Sequence, residues 1–115
     1  MAMFRFFIKS KMSALPVLLL ALALGATTRW KRPEPRTHVV EIRHMKFIPS
    51  EITIAKGDKV VWVNKDFFAH DVTGKDDSWS SKPFQQNESW SMVITEDLSY
   101  YCNLHKVMKG TIRIK

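Results

Sequence analysis

The segment Glu51-Ile52-Thr53-Ile54-Ala55-Lys56-Gly57-Asp58-Lys59-Val60-Val61-Trp62-Val63-Asn64 reads as two strands and the turn between them. Ile52 and Ile54 alternate with Glu51 and Thr53, a period of two that gives one apolar and one polar face. Lys56-Gly57-Asp58-Lys59 supplies turn chemistry. Val60 to Asn64 is apolar at nearly every position, which marks a strand covered on both sides or lying centrally in its sheet. Working outward, Val40 and Ile42 alternate with Glu41 and Arg43. Trp90, Met92 and Ile94 alternate with Ser89, Ser91, Val93 and Thr95, and Ile112 and Ile114 with Thr111, Arg113 and Lys115. Ser99 to Tyr101 adds another strand. Roughly six short strands within about ninety residues predict an all-β sandwich. Thr73 to Asn87, rich in Ser, Lys, Asp and Gln, reads as a loop with a short edge strand around Ser78 to Ser80. No repeat, low-complexity tract or helix of useful length interrupts this pattern.

The chain has 115 residues, room for one small domain and too little for a two-domain enzyme. Its 45% hydrophobic and 25% charged residues, with four Trp and seven Phe, exclude disorder over most of the length. A single cysteine, Cys102, excludes an intramolecular disulfide and an all-cysteine zinc site.

The first residues read as an export signal over 1–26. Met1 to Lys11 carries Arg5, Lys9 and Lys11 and no acid, and leads into the apolar run Ala14 to Ala26, which ends in small residues. That run falls short of the roughly 20 residues of a spanning helix and contains Pro16, so an uncleaved anchor is the weaker reading. Cleavage is expected between Ala23 and Thr28. The absence of a following cysteine and of an Arg-Arg pair argues against lipoprotein and twin-arginine routes. Removing the signal leaves 15 basic residues against 11 acids, a net charge of +4 in place of +7. Residues 27–37, with Arg29, Lys31, Arg32, Arg36 and two prolines, read as an extended, solvated leader; the folded domain is expected over 38–115. Nucleic-acid binding has no motif to support it, and export points away from it.

The chemistry gathers in Cys102-Asn103-Leu104-His105-Lys106-Val107-Met108. A thiolate, an imidazole and a thioether recur at intervals of three between one strand and Gly110, where the last begins, so a compact turn could aim all three at one point. Soft sulfur ligands with imidazole favour copper, and two His with one Cys in a plane plus a weak axial Met is the blue-copper arrangement. The second histidine must come from elsewhere. His70 is the best candidate, after the strand Val60 to Asn64 and before Asp71-Val72. Taken singly, Cys102 would be an inert buried thiol, His105 a surface residue and Met108 core packing. Together, in an exported chain, coordination gives the thiol a reason to exist in an oxidising compartment. His38 and His44, both placed on the first strand, are not expected to be ligands, and Met92, Trp62 and Trp90 are expected to be core.

From Val39 to Lys115, about two thirds of the chain, the sequence resembles the cupredoxins, type 1 blue copper proteins. Within them it is most similar to the amicyanin type, with plastocyanin and pseudoazurin more distant. The resemblance is carried by Phe47-Ile48-Pro49, by Gly57-Asp58-Lys59-Val60-Val61-Trp62-Val63-Asn64-Lys65-Asp66, and by His70, Tyr100-Tyr101-Cys102, His105, Met108 and Gly110. The short Cys-x-x-His-x-x-Met loop is the amicyanin-like feature. The resemblance implies a Greek-key cupredoxin sandwich holding one copper ion, with His70, Cys102 and His105 equatorial and Met108 axial. Three positions depart from the pattern. Asp71 stands where relatives commonly have an Asn that ties the two ligand loops together. The change keeps the backbone donor to the ligand sulfur, leaves the side-chain tie unassured, and introduces a carboxylate that tends to lower the reduction potential. Asn103-Leu104 replaces Thr-Pro or Ser-Pro, and Lys106 replaces the proline after the ligand histidine.

These readings lead to a periplasmic, monomeric electron carrier that cycles copper(II) and copper(I), is not an enzyme and has no stable membrane anchor. Its partners would be transient redox proteins such as a dehydrogenase and a c-type cytochrome. Lys106 sits on the rim where relatives present an apolar patch, so methylamine dehydrogenase is not carried over as a partner. Phe67, Phe68, Ala69, Leu104 and Val107 are expected to form a small apolar face around an exposed His105 edge. The alternative is a copper-binding or copper-delivery protein, which would more often show open Met-rich or His-rich tracts. A metal-free adhesion module leaves the ligand spacing unexplained.

Overall fold

The computed structural model describes residues 28–115; the expected signal at 1–26 lies outside the described residues. Residues 28–33 carry no regular secondary structure and are exposed. The unit Glu34–Lys115 is built from eight strands. These are β1 (Thr37–Arg43), β2 (Lys46–Ile48), β3 (Glu51–Ile54), β4 (Lys59–Asn64), β5 (Thr73–Gly74), β6 (Ser89–Val93), β7 (Leu98–Tyr101) and β8 (Lys109–Ile114). Among the described residues no helix is long and apolar enough to cross a membrane.

The strands form two four-stranded sheets, ordered β2-β1-β4-β6 and β3-β8-β7-β5. Each sheet contains one parallel pair. β1 lies beside β4 with Val40 opposite Trp62, and β3 beside β8 with Ile52 opposite Ile112. The remaining pairs are antiparallel, including Trp62 opposite Trp90 and Tyr100 opposite Gly110. β4 is therefore an interior strand, and its nearly continuous apolar run has the cause expected of it. Val60, Trp62 and Asn64 point into the core, while Val61 and Val63 are half-buried on the outer face.

Alternation places Val40, Ile42, Ile54, Val60, Trp62 and Ile112 in one core with Val72, Ile94, Tyr100, Cys102 and Met108. Burying each large apolar side chain contributes roughly 1.5–3 kcal/mol, and aromatic edges add geometry. The Tyr100 ring meets Phe47 at 4.8 Å and Trp62 at 5.3 Å, both edge-on. A Cβ at Gly110 would land inside the Tyr100 ring, so the aromatic lies flat over its cross-strand glycine. Met92 and Trp90 are partly buried against this core, and Trp79 stacks on Trp90 at 5.9 Å.

Three local features differ from the strand pattern read in the sequence. His44 is not on β1 but in a two-residue turn to β2, where both it and Met45 adopt left-handed φ values of 53° and 60°. Such turns normally announce themselves with Asn-Gly or Asp-Gly; here two side-chain-bearing residues are held instead by Asp66, described below. The expected edge strand at Ser78 to Ser80 is reduced to a bridge between Ser80 and Thr73. β1 begins at Thr37, one residue before the expected boundary.

The β3–β4 turn uses Gly57 at φ 93° and a buried Asp58. Asp58 accepts the Arg36 and Ala55 N–H groups and meets the His38 ring at 2.8 Å. The Arg36 N–H and the His38 ring hold its carboxyl below the usual carboxylate range, against the opposing effect of burial.

Candidate metal centre

His70 and Cys102 come from different parts of the chain and meet in the interior, both fully buried. The loop bearing His70 leaves β4 at Asn64, whose side chain shapes it. Asn64 Nδ2 donates to the Phe68 and Phe84 carbonyls at 2.8 and 3.1 Å, and Asn64 Oδ1 accepts the Asp66 N–H at 2.9 Å. His70 is further pinned by a two-way backbone bridge with Phe84. A buried amide with its hydrogen bonds filled is a rigid fixture, because leaving any of them unmade costs about 1–3 kcal/mol.

Asp66 fixes the ring. Its Oδ2 accepts the His70 Nε2 proton at 2.9 Å, while Oδ1 and Oδ2 accept the N–H groups of His44 and Met45 at 2.8 and 2.9 Å. Burial pushes the Asp66 carboxyl up, but the Met45 and His44 N–H groups and the His70 ring outweigh it and hold it below the usual range. An ionised Asp66 accepts only, so Nε2 of His70 carries the proton and Nδ1 keeps a free lone pair. One carboxylate thus sets the tautomer of a site histidine and closes the β1–β2 turn.

The second half of the site is a single turn closed on itself. The Cys102 N–H donates to the Met108 carbonyl, the His105 N–H to the Cys102 carbonyl, and the Met108 N–H to the His105 carbonyl, at 3.1, 3.2 and 3.0 Å. Cys102 and Met108 are buried and His105 is half-buried. Asp71 ties the turn to the His70 loop. Its backbone N–H points at Cys102 Sγ at 3.4 Å, and its Oδ1 accepts the Asn103 N–H and the Thr73 hydroxyl, each at 2.8 Å. The side-chain link left open by the Asn-to-Asp departure is therefore made, with the carboxylate as acceptor.

The result is a triangle of donor atoms. His70 Nδ1, Cys102 Sγ and His105 Nδ1 lie within 4.8 Å of one another. The sides are 3.8 Å from Sγ to His70, 4.0 Å from Sγ to His105, and 3.2 Å between the nitrogens. A triangle with these sides has a point about 2.1 Å from all three corners, close to the roughly 2.0–2.3 Å of metal–imidazole and metal–thiolate bonds. Two imidazole nitrogens and a thiol gathered around one such point suit one copper ion. His38, paired with Asp58, and His44, in its exposed turn, take no part in this group. The site residues missed by reading the sequence are Asn64 and Asp66. Asp66 lies four residues before His70, a spacing whose meaning depends on where the loop folds.

Around the half-buried His105 ring the surface is apolar. Phe67 and Val107 are each 86% exposed, Phe68 is 64% and Leu104 49%. The Phe68 ring lies 6.4 Å from that of His105. Of the residues expected to form an apolar face, Phe67, Phe68, Leu104 and Val107 are exposed and Ala69 is half-buried, and Lys106 is exposed beside His105 in the sequence.

Comparison with known proteins agrees with this geometry. Residues 36–115 match the model of "Copper binding proteins, plastocyanin/azurin family". Amicyanin of Paracoccus versutus is 27% identical over 84 residues, a match covering 67% of this chain and 64% of the relative's length. Amicyanin-alpha of Methylorubrum extorquens is 28% identical over 102 residues, covering 83% of this chain and 86% of the relative. The crystal structure of the Paracoccus versutus amicyanin superposes with a TM-score of 0.60 at 26% identity, over 67% of this chain and 79% of that one. A copper-containing nitrite reductase from Thermus scotoductus matches 81% of this chain with a TM-score of 0.62 at 25% identity, using only 26% of its own length. With the family model covering all eight strands, this chain belongs to the plastocyanin/azurin family of copper-binding proteins, as an amicyanin-like cupredoxin.

Proposed function

We propose that the chain is an exported, periplasmic type 1 blue copper protein that carries single electrons between redox partners. His70, Cys102 and His105 would hold the copper, with Met108, buried at the end of the same turn, as a fourth ligand. The bound copper supplies one-electron chemistry between its two oxidation states. The observation that carries this reading is that the three donor atoms are already gathered by contacts of the protein's own. Asp66 orients His70, Asp71 joins the two loops, and the closed turn sets Cys102 against His105. A site held this firmly favours little rearrangement on electron exchange. A copper ion held by these four side chains would have no position left for a substrate, which supports a carrier rather than an enzyme. Partners, such as a dehydrogenase and a c-type cytochrome, would couple through the exposed edge of His105 and the apolar residues around it, in small, short-lived complexes of a monomeric carrier.

The test is to add copper(II) to the purified domain and record visible absorption, EPR and reversible voltammetry. An intense blue colour and a reversible one-electron wave are expected, and Cys102→Ser should abolish the colour. A colourless product with ordinary tetragonal EPR would refute the proposal. A blue product that surrenders its metal readily to a chelator would point to copper delivery instead.

A further inference from the structure

A groove of about 380 Å³ runs along the outer face of the second sheet, next to the metal centre. Its position follows from strand register. On β7 and β8 the outward residues pair as Ser99 with Thr111 and Tyr101 with Lys109, so two small side chains leave a trough beside an aromatic and a cation. Lys75, just after β5, is fixed to the same sheet by its N–H bond to the Ser99 carbonyl at 2.9 Å. Lys106, on the turn that carries Cys102 and His105, closes the near end. The Tyr101 hydroxyl is held by Asp77, which fixes the aromatic wall.

Apart from Asp77, which is held on the Tyr101 hydroxyl, the charges at the groove are of one sign. Lys75, Lys106 and Lys109 line this groove with no Asp or Glu among the lining residues. All three are exposed, and none enters an ion pair among the described residues. On the other side of Lys75 a second hollow carries Asp76, Glu96 and Asp97. A partner presenting carboxylates would be attracted to the first groove and repelled from the second, which sets its register as well as its affinity. Three separate ammonium groups on flexible stems suit carboxylates spread over a protein surface better than they suit one planar bidentate anion, for which arginine is the usual choice. Lys106 lines the groove and directly follows His105, so a macromolecule seated in the groove lies beside the turn that carries the site.

We propose that this lysine-lined groove docks an acidic electron-transfer protein, steering it onto the copper end of the domain. The proposal rests on the carrier reading above. Its redox step is simple: one electron leaves the copper(I) protein and reduces the partner's ferric haem to ferrous, with no proton or bond exchanged. The test uses a c-type ferricytochrome of net negative charge at pH 7, mixed with the reduced copper protein by stopped flow at low and high ionic strength. The rate constant should fall about tenfold or more as salt rises. Lys75→Glu and Lys109→Glu should each slow it about threefold to tenfold at low salt, while Lys56→Glu, exposed in the β3–β4 turn, should stay within twofold. Each variant must keep the blue absorption and midpoint potential of the parent, so that a lost rate reports docking. Rates unchanged in Lys75→Glu and Lys109→Glu but slowed in Lys106→Glu would overturn the groove and place docking on the His105 face alone. If the protein never takes up blue copper, the carrier reading fails, and the groove is then judged by amide shifts of the apo domain on adding the same cytochrome. Shifts at Lys75, Ser99 and Lys109 would support the groove; none there would sink it.

Discussion

Replacing Asp66 by Ala removes one carboxylate and three hydrogen bonds, to the His44 N–H, the Met45 N–H and the His70 ring. Hydrogen bonds to an ionised group contribute about 1.5–3 kcal/mol each, so the low end of that range gives about 4–5 kcal/mol for the three. The His44 N–H lies at an exposed position and regains water in the variant, which removes about 1 kcal/mol. The expected loss in the apo domain is therefore about 3 kcal/mol. With a urea m-value of about 1 kcal/mol/M for a small domain, the unfolding midpoint should fall by about 3 M. The same substitution frees the proton on His70 Nε2 and lets the ring turn, so copper affinity should drop about 10–100-fold, as it does when an outer-shell partner of a ligand histidine is lost. Urea titration of the apo domain and a competitive chelator titration of the copper form measure the two effects separately. A midpoint shift below about 0.5 M with unchanged copper affinity would refute the claim that one carboxylate supports both the turn and the site.

Three further outcomes are expected. Asp71→Ala loses the acceptor for the Asn103 N–H and the Thr73 hydroxyl; it should cost about 2 kcal/mol and speed hydrogen exchange at the Asn103 amide, which would stay slow if the tie were incidental. Gly110→Ala drives a methyl into the Tyr100 ring and should destabilise the domain by about 1–3 kcal/mol in thermal melts, and Tyr100→Ala should cost less in that background than it does alone. Asp58 has its carboxyl held low by the Arg36 N–H and the His38 ring, so its contribution is complete above the unfolded carboxyl value of about 3.9 and is lost as pH falls from there through the lower folded value. Apo-domain stability measured through that acid range should fall less steeply in Asp58→Asn than in the parent; equal slopes would contradict the assignment.

The legible parts of the fold are those written in short-range periodicity. Ile52 and Ile54, Val40 and Ile42, and Ile112 and Ile114 announce their strands because a half-buried strand forces alternation. Val60 to Asn64 announces an interior strand because neighbours on both edges and a half-covered outer face leave little room for polar residues. The His70, Cys102 and His105 group was legible through chemistry, since a lone thiol three residues from an imidazole and six from a thioether has few uses. What stayed hidden depends on distant partners. Nothing near Lys46–Ile48 marks a strand, because its turn lacks glycine and is closed by Asp66, 21 and 22 residues away. Nor does any local pattern state that β1 runs parallel to β4, or that Asp71 would accept the Asn103 N–H 32 residues later.

The parallel pairing of β3 with β8 has a consequence for how the chain comes into being. Glu51–Ile54 finds its sheet neighbour only in Lys109–Ile114, and β7 needs that same strand on its other side. A polypeptide made from its amino end therefore cannot commit its second sheet until the final strand has been synthesised, and pairings of such long sequence separation form slowly. Until then half of the sandwich has no template, and the nascent chain stays open.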